Sequence, residues 1–192
     1  MRNIRGVGRG GRKRGRSALA ALAAALLVAA GAARSQAPQE GRKGTGLPVP
    51  RYVSLKTDRV NLREGPSKDH RTAWVFQRAG LPVEITAEYE TWRRIRDAEG
   101  TEGWVLHSLL SGRRTALITP RAKGEEAPLP LLERADERAE VLAKLQPGVI
   151  ANVKSCSGAW CRVIVVLPGA PDVDGFIRQE RLWGVYPNER VE

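Results

Sequence analysis

The chain of 192 residues has very little of what enzymes and metalloproteins are built from. It holds two cysteines, two histidines and one methionine, and aromatic residues make up 5% of it. A closed zinc site takes about four ligands, and neither histidine lies near a cysteine in sequence, so no metal site is expected. Both histidines, His70 and His107, fall in the first half and both cysteines, Cys156 and Cys161, in the second. A thiol hydrolase would need the two types together and the thiol free. No G-x-S-x-G elbow, H-E-x-x-H pair or phosphate-cradling glycine loop occurs. Pairs such as Glu88/Glu90 and Glu125/Glu126 read as solvated charges. The expectation is a protein that is not an enzyme and uses no cofactor.

Acid is missing from the first 33 residues, where Arg2, Arg5, Arg9, Arg12, Lys13, Arg14 and Arg16 precede an Ala/Leu/Val run from Ala18 to Ala33. The formal charge of +11 is therefore lopsided. Seven of those charges lie in residues 1–33 and two more net charges in 34–50, leaving each later half close to neutral. A nucleic-acid groove needs clustered, unopposed cations on the folded part, so no nucleic-acid partner is expected. A basic stretch, a short apolar stretch and small residues make a secretory signal, with Ala30-Gly31-Ala32 or Gly31-Ala32-Ala33 as the cleavage register. The apolar run falls short of the roughly 20 residues that span a hydrocarbon core, although a retained anchor stays open as an alternative. No membrane span is expected after cleavage. Adjacent paired arginines for a twin-arginine route are lacking, as is a cysteine after the apolar run for lipidation. The location expected is periplasmic or secreted.

Residues 34–50 are Gly-, Pro- and polar-rich without apolar periodicity and read as a flexible linker reaching about a few tens of Å. From Tyr52 the texture changes to short Val-, Ile- and Trp-rich runs broken by Gly, Pro, Asp and Asn every 8–12 residues, the pattern of a small all-β barrel or sandwich. Leu129–Leu145 competes with this, because its apolar residues fall near helical spacing.

An internal repeat argues against that helix. Gly80-Leu81-Pro82-Val83-Glu84-Ile85, Trp92-Arg93-Arg94-Ile95, Gly103-Trp104-Val105 and Leu110 are echoed by Gly148-Val149-Ile150-Ala151-Asn152-Val153, Trp160-Cys161-Arg162-Val163, Gly175-Phe176-Ile177 and Leu182. Ile85 to Trp92 and Val153 to Trp160 are both seven apart, as are Gly103 to Leu110 and Gly175 to Leu182. The repeats differ in one hairpin loop, Arg96–Glu102 against the longer Ile164–Asp174, where insertion costs little.

The run Val60-Asn61-Leu62-Arg63-Glu64-Gly65-Pro66-Ser67, followed by Gly-x-Pro-Val, Trp-x-x-Ile and Gly-Trp-Val, resembles the bacterial SH3 (SH3b) family. The resemblance implies two tandem SH3-like small β-barrels, residues 51–111 and a divergent 112–188, after a signal peptide (1–33) and linker (34–50). The second repeat lacks the N-x-R-x-G-P-S turn and carries Leu132-Glu133-Arg134-Ala135-Asp136-Glu137, so a hairpin and a helical turn are both open there. Domains of about 60 residues are marginal alone, so a fixed interface sealed by Leu182–Pro187 is expected. The resemblance also implies the ligand class: peptidoglycan peptide or an envelope protein, since such modules accompany wall-acting enzymes. A protein scaffold or inhibitor is the alternative, and a small periplasmic hydrolase or redox protein a more distant one.

Cys156 and Cys161 flank the tip of a hairpin in a chain bound for an oxidising compartment and are expected to form a disulfide. For ligand contact the candidates are aromatic residues with arginines beside them. Strand alternation places Trp92, Arg94 and Arg96 on one face and Ile95 in the core, with Trp92 toward the rim beside Tyr89 and with Trp104 and Trp74 as possible neighbours. The plainer alternative is that these tryptophans cover a thin core.

Overall fold

A computed structural model describes residues 44–120, 124 and 126–192. The expected signal peptide and linker residues up to 43 lie outside these, as do 121–123 and 125.

Every regular element of length is a strand. The first sheet contains β1 (Arg51–Leu55), β2 (Val60–Arg63), β3 (Thr72–Phe76), β4 (Pro82–Tyr89), β5 (Trp92–Arg96), β6 (Glu102–Leu106) and β7 (Leu110–Ser111), in the order β3-β2-β6-β5-β4-β1-β7. The second contains β8 (Thr115–Ile118), β9 (Leu129–Leu132), β10 (Val141–Leu145), β11 (Ile150–Ser157), β12 (Trp160–Val165), β13 (Val173–Arg178) and β14 (Leu182–Trp183), in the order β10-β9-β13-β12-β11-β8-β14. Element for element the two paths are the same. Neither path closes on itself, so each is a partly open barrel. A last strand, β15 (Arg190–Val191), pairs with β11 and carries the second sheet beyond Asn188. Among the described residues no helix is long and apolar enough to cross a membrane.

Strand alternation explains the cores. In β2, Val60 and Leu62 are buried while Asn61 is exposed; in β6, Gly103 and Val105 are buried between half-buried Trp104 and Leu106. The first core joins Leu55, Val60, Leu62, Phe76, Val83, Ile85, Ile95 and Val105. Ile95 and Ile85 face each other across β4 and β5, as Val163 and Val153 do across β11 and β12. Two glycines per barrel make this packing possible. Gly80 and Gly148 turn the chain into β4 and β11 with φ of 78° and 86°, a conformation side chains resist. Their N–H groups donate to Leu55 O and Ile118 O respectively, both at 2.8 Å. At Gly103 a Cβ would lie 2.6 Å from Leu62 Cγ, and at Gly175 one would lie 2.8 Å from Leu131 Cγ. The opposing leucine fills the space in both barrels.

The region of competing helical spacing, Leu129–Leu145, is a hairpin. Leu131 and Leu145 point into the core while Pro130 and Lys144 pair outside it, and a proline within the segment also opposes a helix. The loop Glu133–Glu140 is bridged by Glu133 N–H donating to Glu140 O at 2.9 Å; in the first barrel Glu64 N–H donates to Arg71 O at 3.1 Å across a loop of the same length. The family-like glycine and proline are absent from the second loop, yet the hairpin forms.

The first barrel carries one departure from the linker expectation. Residues 44–50 are exposed, but Thr45 is tied to the first sheet: its N–H and Oγ1 donate to the Glu88 carboxylate at 2.6 and 2.8 Å.

The barrels meet through aromatic and polar contacts. The Tyr52 ring lies 5.3 Å from that of Trp183, edge-on, and 4.6 Å from that of Tyr186. Tyr186 Oη donates to Glu84 Oε1 at 3.0 Å, and Thr115 Oγ1 donates to Gly80 O at 2.8 Å. Burial, with the Glu84 charge beside it, pushes the Tyr52 hydroxyl up to about 12. The segment from Leu182 to Tyr186 thus meets the first barrel.

Candidate functional site

β5 sends Trp92, Arg94 and Arg96 to the outer face and Ile95 to the core, but the rim placement of Trp92 does not hold. Trp92 is only 7% exposed, held opposite Leu106 of β6 on one side and Tyr89 on the other. Its indole is a floor, not a rim. Arg93, on the inner side, is 4% exposed and balanced by Glu88 at 3.1 Å. Arg94 stands opposite Trp104 and pairs with Glu102 at 2.6 Å; Arg96 pairs with Glu84 at 2.5 Å. Both candidate arginines therefore already have carboxylate partners. Trp74 lies on the edge strand β3, 57% exposed, in a separate hollow with Asp97, Ala98 and Glu99. Tyr89 is 41% exposed. The six candidates do not form one constellation.

Trp92 instead belongs to a groove of about 260 Å³ lined by Arg59, Asn61, Arg63, Lys68, Leu106 and Leu109. Asn61 and Arg63 are the outward residues of β2, Leu106 is the outward end of β6, and Lys68 comes from the β2–β3 loop. Arg63 holds that loop by donating from Nη1 to Lys68 O and His70 O at 2.9 and 2.7 Å.

The second barrel has a groove at the same place, about 490 Å³, with Trp160 in it. Register makes the correspondence specific. Trp160 lies opposite Arg178 as Trp92 lies opposite Leu106, and Phe176 lies opposite Leu132 as Trp104 lies opposite Arg63. Pro128, Pro130, Leu132, Glu137 and Arg181 thereby occupy the places of Arg59, Asn61, Arg63, Lys68 and Leu109. The Arg178 guanidinium sits 4.4 Å over the Trp160 ring and is paired with Glu137. Cation–π contact and ion pair together fix that side chain across the groove.

The chain belongs to the bacterial SH3 domain family. Its match covers residues 56–112 and again residues 125–184, one match per barrel. Among curated proteins none matches the chain in sequence. Solved structures of NlpC2 and NlpC1 from Trichomonas vaginalis are similar at 10% identity, with TM-scores of 0.30 and 0.31. The alignment covers 70% and 72% of this chain but only 48% and 47% of theirs, so the tandem SH3 chain spans about half their length.

Cys156 and Cys161 form a disulfide between directly opposed residues of β11 and β12, with Cα atoms 4.1 Å apart. They flank the turn at Ser157–Trp160 as the last opposed pair of the hairpin, and both are buried in the core of the second SH3 barrel. By register they stand where Glu88 and Arg93 stand in the first barrel. Among the described residues no group of three or more His, Cys, Asp or Glu side chains could hold a metal ion.

Trp92 and its neighbour Tyr89 are legible in the sequence, whereas the groove residues Arg59, Asn61, Arg63, Lys68, Leu106 and Leu109 are not. The readable signal was the repeat itself: Trp92 and Trp160 are the position at which both halves carry tryptophan, and aligning on them leads to both grooves.

Proposed function

We propose that this protein is an exported, non-catalytic binding module whose two grooves, floored by Trp92 and Trp160, take segments of a cell-envelope ligand, either peptidoglycan peptide or an envelope protein. The observation that carries this reading is the recurrence of one groove at one place on both SH3 barrels. A buried indole needs cover in any small barrel, but cover alone does not call for a hollow beside it. A flat aromatic floor with polar residues on the rim suits an extended chain, which gains apolar contact along the floor and hydrogen bonds at the edges. Two such grooves on one chain would add their effects through a raised local concentration, provided the ligand repeats or spans both. The basic, acid-free N-terminus supports export, and the bacterial SH3 family supports the envelope as the setting.

Cosedimentation with purified sacculi tests this. The native protein should pellet with the sacculi, and the double variant Leu106→Asp, Val141→Asp should remain in the supernatant with an unchanged circular dichroism spectrum. Val141 lines the second groove and is exposed, and Leu106 is half-buried in the first. Equal pelleting of both forms would remove the grooves from the interaction. Absence of pelleting by the native protein, with capture of a defined envelope protein abolished by the same substitutions, would move the ligand from polymer to protein.

A further inference from the structure

The two grooves share a place but not a charge, and the difference is confined to their walls. In the second, the loop residue Glu137 is acidic and its partner Arg178 reaches it from across the groove, over the indole. In the first, the loop residue is Lys68, and the position facing it is Leu106, which offers nothing ionic. Arg59 and Arg63 add two further cations where the second groove has Pro128 and Leu132. None of the residues lining the first groove is acidic.

The nearby carboxylates are committed or face elsewhere. Glu64 pairs with Arg71, Asp69 is bonded to Ser67, and Asp58, adjacent to Arg59 in the chain, does not line the groove. Among the described residues Arg59, Arg63 and Lys68 have no carboxylate within ion-pair distance; Arg51, Arg71, Arg93, Arg94 and Arg96 of the same barrel do, and Lys56 and Arg78, which also have none, do not line the groove. The groove lining thus holds three cations and no acid, and an anion placed among them is attracted by all three. Arg63 is in addition held in place by two backbone carbonyls, so it loses less freedom on binding than a loose side chain would.

We infer that the first barrel's groove is a carboxylate site: it binds an extended peptide whose acidic group sits among Arg59, Arg63 and Lys68 while an adjoining apolar portion lies against Trp92 and Leu106. The second groove, whose cations Arg178 and Arg181 are already paired with Glu137 and Glu180, does not share this preference. The inference rests on the reading that the grooves are binding surfaces, and adds the chemistry that one of them selects.

Three peptides separate the possibilities in a chemical-shift titration of the full-length protein. Acetyl-Leu-Glu-Ala amide carries a side-chain carboxylate, acetyl-Leu-Gln-Ala with a free C-terminus carries a terminal one, and acetyl-Leu-Gln-Ala amide carries none. At least one acidic peptide should bind at least about tenfold more tightly than the neutral one, a preference that weakens with added salt. Its shifts should centre on Asn61, Lys68 and Leu106, and which acidic peptide prevails identifies the source of the carboxylate. Arg59→Gln and Lys68→Glu, both on the surface of the groove, should each reduce that preference several-fold with no change in circular dichroism. Equal binding of all three peptides at this groove overturns the carboxylate inference and leaves the groove reading standing. Binding of none, or shifts confined to the second barrel, overturns it too. Acidic-peptide binding without sacculus binding upholds it while removing peptidoglycan as the ligand.

Discussion

Glu88 and Arg93 in the first barrel occupy the places of Cys156 and Cys161 in the second, one residue pair beside the same hairpin. In one barrel the tie is a nearly buried ion pair, with Glu88 also taking hydrogen bonds from Arg51 and Thr45. In the other it is covalent and lies within the core. The hairpin bearing each groove tryptophan is thus tied once across its strands, by an ion pair in one barrel and a disulfide in the other. The position itself asks for a strong cross-strand tie, and the two barrels answer with ties that fail under different conditions: acid for one, reductant for the other.

The largest effect should come from a change that treats the barrels alike. Gly103→Val and Gly175→Val each drive a side chain into the leucine opposite, and each should cost about 3 kcal/mol in urea unfolding followed by tryptophan fluorescence. A large loss at one glycine and none at the other would break the equivalence of the barrels.

The ties come next. Arg93→Ala removes a buried cation that also donates to Glu90 O and Trp92 O, and should cost about 3 kcal/mol. Cys156→Ala with Cys161→Ala should cost on the order of 2 kcal/mol or less, because the loop that the disulfide closes is short. Exchanging the chemistry sharpens the point: Glu88→Cys with Arg93→Cys should form a disulfide in the first barrel, detected as the absence of free thiol in the unreduced protein.

Acid separates the same two ties. Burial by itself would raise the Glu88 carboxyl, but the bonds from Arg51 and Thr45 and the charge of Arg93 outweigh it and hold it at about 2. A folded value below the ordinary 4.5 means that this stabilisation is complete above about 4.5 and is lost as pH falls toward 2. The Glu88→Cys, Arg93→Cys protein, oxidised, should show a shallower loss of melting temperature over that window than the native protein.

An effect of similar size to that of losing the disulfide is expected between the barrels. Tyr186→Phe removes the hydrogen bond to Glu84, a carboxylate only 2% exposed, and should cost about 1–2 kcal/mol by thermal unfolding.

Much of this molecule could be read from its residues because a repeat supplies its own test. Gly80 and Gly148, Trp92 and Trp160, and Gly103 and Gly175 mark turn, floor and close approach in both halves, and intervals between them were enough to place the strands. The opposed cysteines followed from strand pairing. What stayed hidden depended on partners distant in sequence. Alternation puts Trp92 outside the core, but whether it lies open depends on Tyr89 and Leu106 flanking it. The carboxylates facing Arg94 and Arg96 come from β6 and β4, and no local pattern names them. The groove itself draws on β2, a loop and β6, so Arg59, Lys68 and Leu109 carried no mark of their own.

The most direct test of the account is to titrate isotope-labelled protein with soluble fragments of digested sacculi and map the amide shifts. The shifts should fall around Asn61, Lys68 and Leu106 in the first barrel and around Leu132, Glu137 and Arg178 in the second. Shifts clustered on Trp74 and the Asp97–Thr101 loop, with both tryptophan grooves silent, would contradict it.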